Sequence, residues 1–250
     1  MPKSAHISAD KGKARGKRRG VFAALVLALV FITATPGWAL EPYSIEPAHL
    51  NPKDPLPRAL VDKLDSQGWL LFTETHGLKA PICEVFWVKA ASVQEGQPGS
   101  KARYGGLETG TLLGVIHFLP ETDKDFREDF HDQKLAPGYY SMRYAQRPQS
   151  EPADVLMLSP VNADREAESV LSAAELSRRS RLASRTAEPA VLSLVSPELR
   201  KEEVPTLRMD EEGTCIFQVQ LRGKAGAGSP RDTAVAVILV TPRKGEGDES

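Results

Sequence analysis

The chain is poor in cysteine, in aromatic residues and in net charge. It has two cysteines, 6% aromatic residues and a formal charge of −1 over 250 residues. So few cysteines exclude a disulfide-dense miniprotein, and the composition is that of neither a collagen nor a coiled coil. With 41% apolar and 26% charged residues, the chain is too apolar for a disordered protein and too charged for a membrane bundle. One ordinary domain or two small ones remain.

The common signatures of catalysis and cofactor binding are also missing. The sequence has no H-E-x-x-H, G-x-S-x-G or C-x-x-C motif, and no phosphate-binding or dinucleotide loop. We therefore assign no catalytic residue and expect no cofactor. A Ser-His-Asp triad stays open, because its members assemble across a fold. The mature part would draw its histidine from His49, His76, His117 or His131.

The near-neutral charge is an average over two unlike parts. Residues 1–39 hold seven of the 32 bases and one of the 33 acids, a charge of +6, which leaves −7 for residues 40–250. Bases within 15–19 precede twelve unbroken apolar residues at 21–32, and the small residues Gly37 and Ala39 follow. This pattern predicts a signal peptide cleaved between Ala39 and Leu40. The alternative is an uncleaved inner-membrane anchor, although a span normally needs about 20 apolar residues.

Export would place both cysteines in an oxidising compartment, the periplasm or the cell exterior. Cys83 and Cys215 each lie in an apolar, β-like run. A disulfide bridge between them is one prediction, and two separate buried thiols are the alternative. An exported chain of negative charge is not expected to bind nucleic acid. It would meet a membrane only through an uncleaved leader.

The rest of the chain has the pattern of a β protein. Residues 40–57 contain five prolines and predict an extended lead-in, and residues 244–250 predict a disordered tail. Short helices are predicted near 56–64 and from Ser172 toward Arg181. Runs of β-branched and aromatic residues predict seven or eight strands, at 69–75, 82–88, 111–118, 139–145, 155–158, 191–195, 214–221 and 233–241.

Turns rather than crossover helices join several of these strands. The sequence therefore predicts a single, mainly β domain over residues 58–243, an antiparallel β-sandwich or barrel with two short peripheral helices. A glycine inside the predicted strand 111–118, Gly114, predicts a bulge or a close approach of another backbone segment.

Four short segments of the chain form a recognisable ordered set, CEVFW at 83–87, GTLLGV at 110–115, LAPGYYSMRY at 135–144 and PAVLSL at 189–194. In this order they resemble an uncharacterised family of exported bacterial proteins, of the kind found in acidobacteria-like sequences. The segments lie between Cys83 and Leu194, a run that spans about half of the mature chain. The resemblance implies export and a β fold, and it implies no reaction.

One predicted strand carries candidate binding residues. Tyr139, Tyr140 and Tyr144 lie there together with Arg143. Aromatic and arginine side chains make good anchors for a partner or ligand. Alternation along a strand divides the four between two faces, and core packing is the alternative for at least one face.

An acidic connection carries weaker candidates for a metal site. Imidazole and carboxylate groups bind ions such as Zn²⁺ and Ca²⁺. The spacing of these residues matches no established metal-binding loop, so we expect a solvated connection and no metal. The residues are His117, Asp123, Asp125, Asp129 and His131.

These features favour an exported β protein that binds a partner protein or a small ligand at the bacterial cell envelope. The first alternative is an envelope hydrolase with a dispersed His, carboxylate and Ser site. The second is a purely structural envelope component. A basic cluster at 178–185 is expected to be a solvated helix face, with contact to an anionic envelope surface as its alternative.

Overall fold

Twelve strands lie in the part of the chain that the structure describes. The computed structural model describes residues 43–75, 78–93, 104, 106–120, 129, 131–147, 153–197, 205–211, 213–224 and 232–240. The strands are β1 (Tyr43–His49), β2 (Gln67–Thr75), β3 (Leu78–Trp87), β4 (Ala91–Ser92), β5 (Leu112–Phe118), β6 (Gly138–Gln146), β7 (Asp154–Pro160), β8 (Val191–Val195), β9 (Thr206–Met209), β10 (Cys215–Leu221), β11 (Gly223–Lys224) and β12 (Thr233–Val240).

Ten of these strands form one antiparallel sheet that curls into a nearly closed barrel. The strand order is β1-β2-β3-β5-β6-β7-β8-β12-β10-β9. The two end strands, β1 and β9, approach each other, but no ladder joins them in the described residues. The remaining two strands, β4 and β11, form a small parallel pair. The predicted mainly β, antiparallel and barrel-like fold is confirmed.

The first strand lies inside the segment interpreted as an extended lead-in. β1 pairs with β2 through all seven of its residues. Pro47 lies within this strand and has no N–H to donate to a ladder. Proline is tolerated in strands mainly at a sheet edge, which is the place that β1 occupies. The sheet therefore begins before residue 58, where the sequence placed the start of the domain.

Both faces of the central strands are buried, because the sheet has a core inside and a second apolar layer outside. Along β7, Leu156 and Leu158 belong to the large core, whereas Val155 and Met157 belong to a smaller cluster with Leu176. Leu176 lies on a helix, so the smaller cluster is where that helix packs on the outer face of the sheet.

Two α-helices and one 3-10 turn accompany the sheet in the described residues. They are α1 (Arg58–Val61), the turn Val161–Ala163 and α2 (Ala173–Ser184). The helix predicted near 56–64 is thus a single turn. The Ser172 hydroxyl accepts the N–H of Glu175 at 3.3 Å and caps α2 as predicted. Within the described residues, no helix has the length and apolar character needed to cross a membrane.

Gly114 confirms the irregularity that the sequence predicts in β5. The pairing of β5 with β6 shifts register between Leu112 and Gly114. A side-chain carbon at position 114 would collide with the carbonyl oxygen of Phe86 on β3. The position therefore needs glycine because β3 passes too close for any larger residue.

Candidate functional site

Three polar or aromatic side chains form a row across neighbouring strands. Glu84 on β3 is the register partner of His117 on β5, and His117 is the register partner of Tyr139 on β6. Residues directly opposite each other in adjacent strands project from the same face of a sheet. The next row, Val85, Ile116 and Tyr140, is buried in the core. The row of three therefore lies on the outer face.

His117 contacts both of its neighbours in this row. Its Nδ1 lies 2.8 Å from Oε2 of Glu84, and its ring stacks on that of Tyr139 with centroids 3.7 Å apart and planes 9° apart. The side chains of His117 and Glu84 are 15% and 24% exposed to solvent. A carboxylate at Nδ1 favours the tautomer with the hydrogen on that nitrogen, which leaves Nε2 as an acceptor.

A second carboxylate lies at the Tyr139 end of the row. The Tyr139 hydroxyl lies near the carboxylate of Asp54, which follows β1 in an exposed turn. The main-chain N–H of Asn51 donates to Asp54, at 3.1 Å, and holds the carboxylate in place. Burial, the contact with Asp54 and the negative charges of Asp54 and Glu84 raise the pKa of Tyr139, in that order. We call Asp54, Glu84, His117 and Tyr139 the His117–Tyr139 site.

The other tyrosines of β6 point into the core. Tyr140 keeps 5% of its exposure and Tyr144 keeps 1%. Their hydroxyls donate to the carbonyl of Ala136 and to the carboxylate of Asp154, both at 2.7 Å. Burial and the bond to Asp154 raise the pKa of Tyr144. Both rings lie on the inner face of the barrel, so neither can anchor a partner. Tyr140 and Tyr144 therefore differ from the binding residues that the sequence predicts.

Arg143 is fully buried, so it also differs from the expected binding residue. Its guanidinium donates to both oxygens of Asp164, at 2.8 and 2.9 Å. It also donates to the carbonyls of Gly110 at 2.7 Å and Glu168 at 2.9 Å. These four bonds use nearly all of its donors. Arg143 therefore ties the segment before α2 to the sheet, and Tyr139 is the one predicted binding residue that stays accessible.

The buried carboxylate of Asp164 also receives a second arginine. Arg179 of α2 donates to it at 3.0 Å and to Glu175 at 2.5 Å. Burial alone would raise the pKa of Asp164, but bonds and charges from Arg143, Ser141 and Arg179 outweigh it and lower that pKa. Part of the predicted basic cluster is thus an internal link between helix and sheet.

The exposed part of the basic cluster is partly neutralised within α2. Arg178 donates to both oxygens of Glu175, at 2.8 and 2.7 Å. Bonds from Arg178 and Arg179 lower the pKa of Glu175 to about 2. Arg181 and Arg185 are exposed beside this group.

The weak metal candidates are separated in the structure. His117 pairs with Glu84, whereas His131 lies 3.6 Å from Asp129. Asp129 accepts the N–H groups of His131, Gln133 and Val191, so its role is to fix the loop against β8. Within the described part of the chain, no three His, Cys, Asp or Glu side chains form a group that could hold a metal ion. Asp123 and Asp125 lie outside the described residues, as do the leader, its cleavage point at Ala39 and Leu40, and the tail.

Comparison with known proteins does not indicate a function for this site. No protein-family model, curated protein or solved structure matches the chain. A fold of this class hosts many functions, so function has to be argued from the chemistry of the site.

The two cysteines are buried in different strands, β3 and β10. Cys83 and Cys215 are free thiols in the structure, which is the alternative to the predicted bridge. Burial, together with the charges of Cys215 and Glu84, raises the pKa of Cys83, and burial raises the pKa of Cys215 to about 12. Each sulfur therefore packs as a small apolar group and carries little nucleophilic thiolate.

Sequence reasoning missed the two carboxylates of the site. Glu84 is the one charged residue in the apolar run 82–88, and strand alternation places it opposite the buried Cys83 and Val85. An isolated charged residue in an apolar strand could therefore have indicated Glu84 as a surface site residue. No such pattern indicates Asp54, because its contact with Tyr139 depends on how the turn after β1 crosses the sheet.

Proposed function

We propose that this chain is an exported protein of the bacterial cell envelope, and that its barrel-like domain binds a partner or ligand at the His117–Tyr139 site. The basic and apolar leader, followed by Gly37 and Ala39, supports export. The lack of common catalytic motifs in the sequence favours binding over catalysis.

The interior of the barrel favours a site on the outer surface. Trp87 and Phe217 meet across the core with ring centroids 6.3 Å apart. Met142 and Leu156, from neighbouring strands, are fully buried in the same core. These side chains occupy part of the interior, which a ligand-carrying barrel would keep open. We therefore propose that the binding surface lies outside, at the row of polar side chains.

The stacked pair of His117 and Tyr139 is the observation that carries the proposal. Aromatic rings that are fixed by neighbours yet partly exposed lose little conformational entropy on binding, and they make strong anchors. Glu84 and Asp54 fix the two rings from opposite ends of the row. The site is therefore rigid before a ligand arrives, which lowers the cost of binding.

Native mass spectrometry of protein purified from its own source tests the binding function. We expect the wild type to carry a bound species, and the double variant His117→Gln/Tyr139→Ala to lose it. Glu211→Gln, which changes an exposed residue in the β9–β10 turn, is a control that should retain it. A species retained by the double variant, or none in the wild type, contradicts binding at this site.

Cell fractionation tests export separately. We expect the processed chain, cut after Ala39, in the periplasmic or extracellular fraction. An unprocessed chain in the inner membrane would support the anchor instead. Unprocessed protein in the cytoplasm would contradict both.

A hydrolase is the second candidate, and the Glu84–His117 pair favours it. A carboxylate at Nδ1 and an acceptor at Nε2 are how a general-base histidine is oriented in Ser-His-Asp sites. No serine hydroxyl contacts His117 within the described residues. If a nucleophile approaches from elsewhere, a fluorophosphonate probe should label one serine in the wild type and fail to label His117→Gln. No labelling of the wild type argues against a serine hydrolase.

A further inference from the structure

The His117–Tyr139 site has two carboxylates, Glu84 and Asp54, that pair with no lysine or arginine among the described residues. Glu84 has His117 as its described partner. Asp54 accepts the N–H of Asn51 and lies near the hydroxyl of Tyr139, and both of these groups are neutral. A carboxylate has about four lone-pair sites, so each of the two keeps acceptor capacity for a further donor.

Some carboxylates elsewhere on the surface form ion pairs within the chain, although others, such as Glu74 and Asp65, accept from neutral donors. The ion pairs are made with lysine or arginine, which satisfies the charge within the chain. Such pairs join Asp62 to Arg58, Glu46 to Lys79, and Glu175 to Arg178 and Arg179. Glu84 and Asp54 differ from these paired carboxylates, because neither contacts a lysine or an arginine in the described residues, and both lie beside the stacked rings of His117 and Tyr139.

The aromatic rings of the site would also attract a cation. The face of an aromatic ring carries negative electrostatic potential, which attracts ammonium and guanidinium groups. Tyr139 keeps part of its surface exposed beside this charge. Its raised pKa is consistent with the negative charge of Asp54 and Glu84 around it.

We propose that the His117–Tyr139 site takes a cationic group, an alkylammonium or a guanidinium, which lies against the exposed ring and donates to Glu84 and Asp54. This inference rests on the proposed binding function and names its ligand class. The cation is either a free small molecule or a side chain of a partner protein. The charge of −7 on residues 40–250 would attract it at long range.

Nuclear magnetic resonance of the protein tests this directly. The chain has five histidines, so the Hε1 signal of His117 can be assigned from a His117→Gln spectrum. The probes are n-butylguanidinium, the tripeptide Gly-Arg-Gly with both ends blocked, n-butanol and butyrate, at constant ionic strength. We expect saturable shifts at His117 with the two cations and none with n-butanol or butyrate. Tighter binding of the tripeptide would indicate a partner protein, and equal binding a small molecule.

Matched variants test whether the charges of the two carboxylates contribute to binding. Glu84→Gln and Asp54→Asn should each weaken n-butylguanidinium binding about two- to fivefold, the range of a partly exposed ion pair. Glu211→Gln, an equal change of charge on an exposed turn, should leave it unchanged. Should a variant unfold, added salt serves instead, and it should weaken binding to the wild type.

The outcomes distinguish the ligand class from the site. Saturable binding of n-butanol or butyrate at His117, without the cations, overturns the cationic ligand but leaves the binding function standing. Equal affinities for Glu84→Gln, Asp54→Asn and Glu211→Gln also overturn it. If no probe shifts His117 and the native protein carries no bound species there, the proposed function fails as well.

Discussion

Arg143 and Asp164 form a fully buried ion pair between β6 and the segment before α2. Taking both charges out of water is costly, and four bonds to the guanidinium offset that cost. Such a pair contributes little when both members are present, yet losing one member leaves a buried charge unpaired. A single substitution in this buried pair should therefore lower the free energy of unfolding more than a single substitution in an exposed ion pair.

The first prediction follows from this asymmetry. Arg143→Met should lower the free energy of unfolding by about 3–5 kcal/mol, because Asp164 stays buried with Arg179 as its remaining arginine partner. The double variant Arg143→Met/Asp164→Leu should recover much of that loss. Arg58→Met, in the exposed pair with Asp62, should change it by less than about 1 kcal/mol. Urea denaturation measures all three, and a double variant no better than Arg143→Met would contradict the argument.

The pair also predicts how stability depends on pH. The folded protein holds the pKa of Asp164 below its usual value of 3.8, so Asp164 contributes stability above that value. The contribution is lost as the pH falls from there through the lower folded-state pKa. The gap in unfolding free energy between the wild type and Asp164→Asn should be constant from pH 7 to 5 and narrow toward pH 3. A gap that widens on acidification would refute the assignment.

The free thiols give a further prediction at single residues. Because burial raises the pKa of both Cys83 and Cys215, Ellman's reagent should react slowly at pH 8 with the folded protein. After unfolding without reductant, two thiols should titrate at once. No reactive thiol in the unfolded protein, and two after reduction, would show that the predicted bridge forms instead.

At the scale of elements, Ser172 fixes where α2 begins. Its hydroxyl satisfies the N–H of Glu175, one of four that a helix start leaves unpaired. Ser172→Ala should cost about 1 kcal/mol, measured by urea denaturation, whereas Ser172→Asp should retain most of the stability because aspartate also caps helices. An equal loss in both variants would mean that the cap does not stabilise the fold.

Much of the fold was predictable because strand alternation and capping are local. The predicted strand 191–195 agrees with β8, and Gly114 and Ser172 have the roles that their neighbours in sequence indicate. β1 was missed as a sheet strand because proline-rich segments look the same whether or not they pair. The barrel-like closure, and which outer faces the helices cover, depend on contacts between distant residues.

The candidate site was predictable only in part, for the same reason. Tyr139 and Arg143 lie on one face of β6 by alternation, and sequence alone cannot separate them. The structure separates them because the segment before α2 covers Arg143, while Tyr139 lies near the start of the strand. Asp54 joins the site through a turn 85 residues away from Tyr139 in sequence. Local patterns carry no information about such a contact.

On the scale of the whole molecule, the sheet has two ends that meet without a ladder. β1 pairs with β2 alone and β9 with β10 alone, whereas each interior strand pairs on both sides. In the described residues, no ladder therefore runs along the outer edge of β1 or of β9. An edge strand opens at a lower free energy than a central one, because fewer bonds and apolar contacts hold it.

Hydrogen exchange read by mass spectrometry tests this difference in stability. Peptides that cover Tyr43–His49 and Thr206–Met209 should exchange faster than those that cover Gly138–Gln146 and Asp154–Pro160. Arg143→Met should speed exchange in the central strand β6 more than in the edge strand β1, because the arginine holds the segment before α2 against β6. Protection of β1 equal to that of β6 would mean that β1 and β9 close the barrel by pairing in solution. The same experiment with n-butylguanidinium should slow exchange around His117 and Tyr139 and leave the β9–β10 turn unchanged.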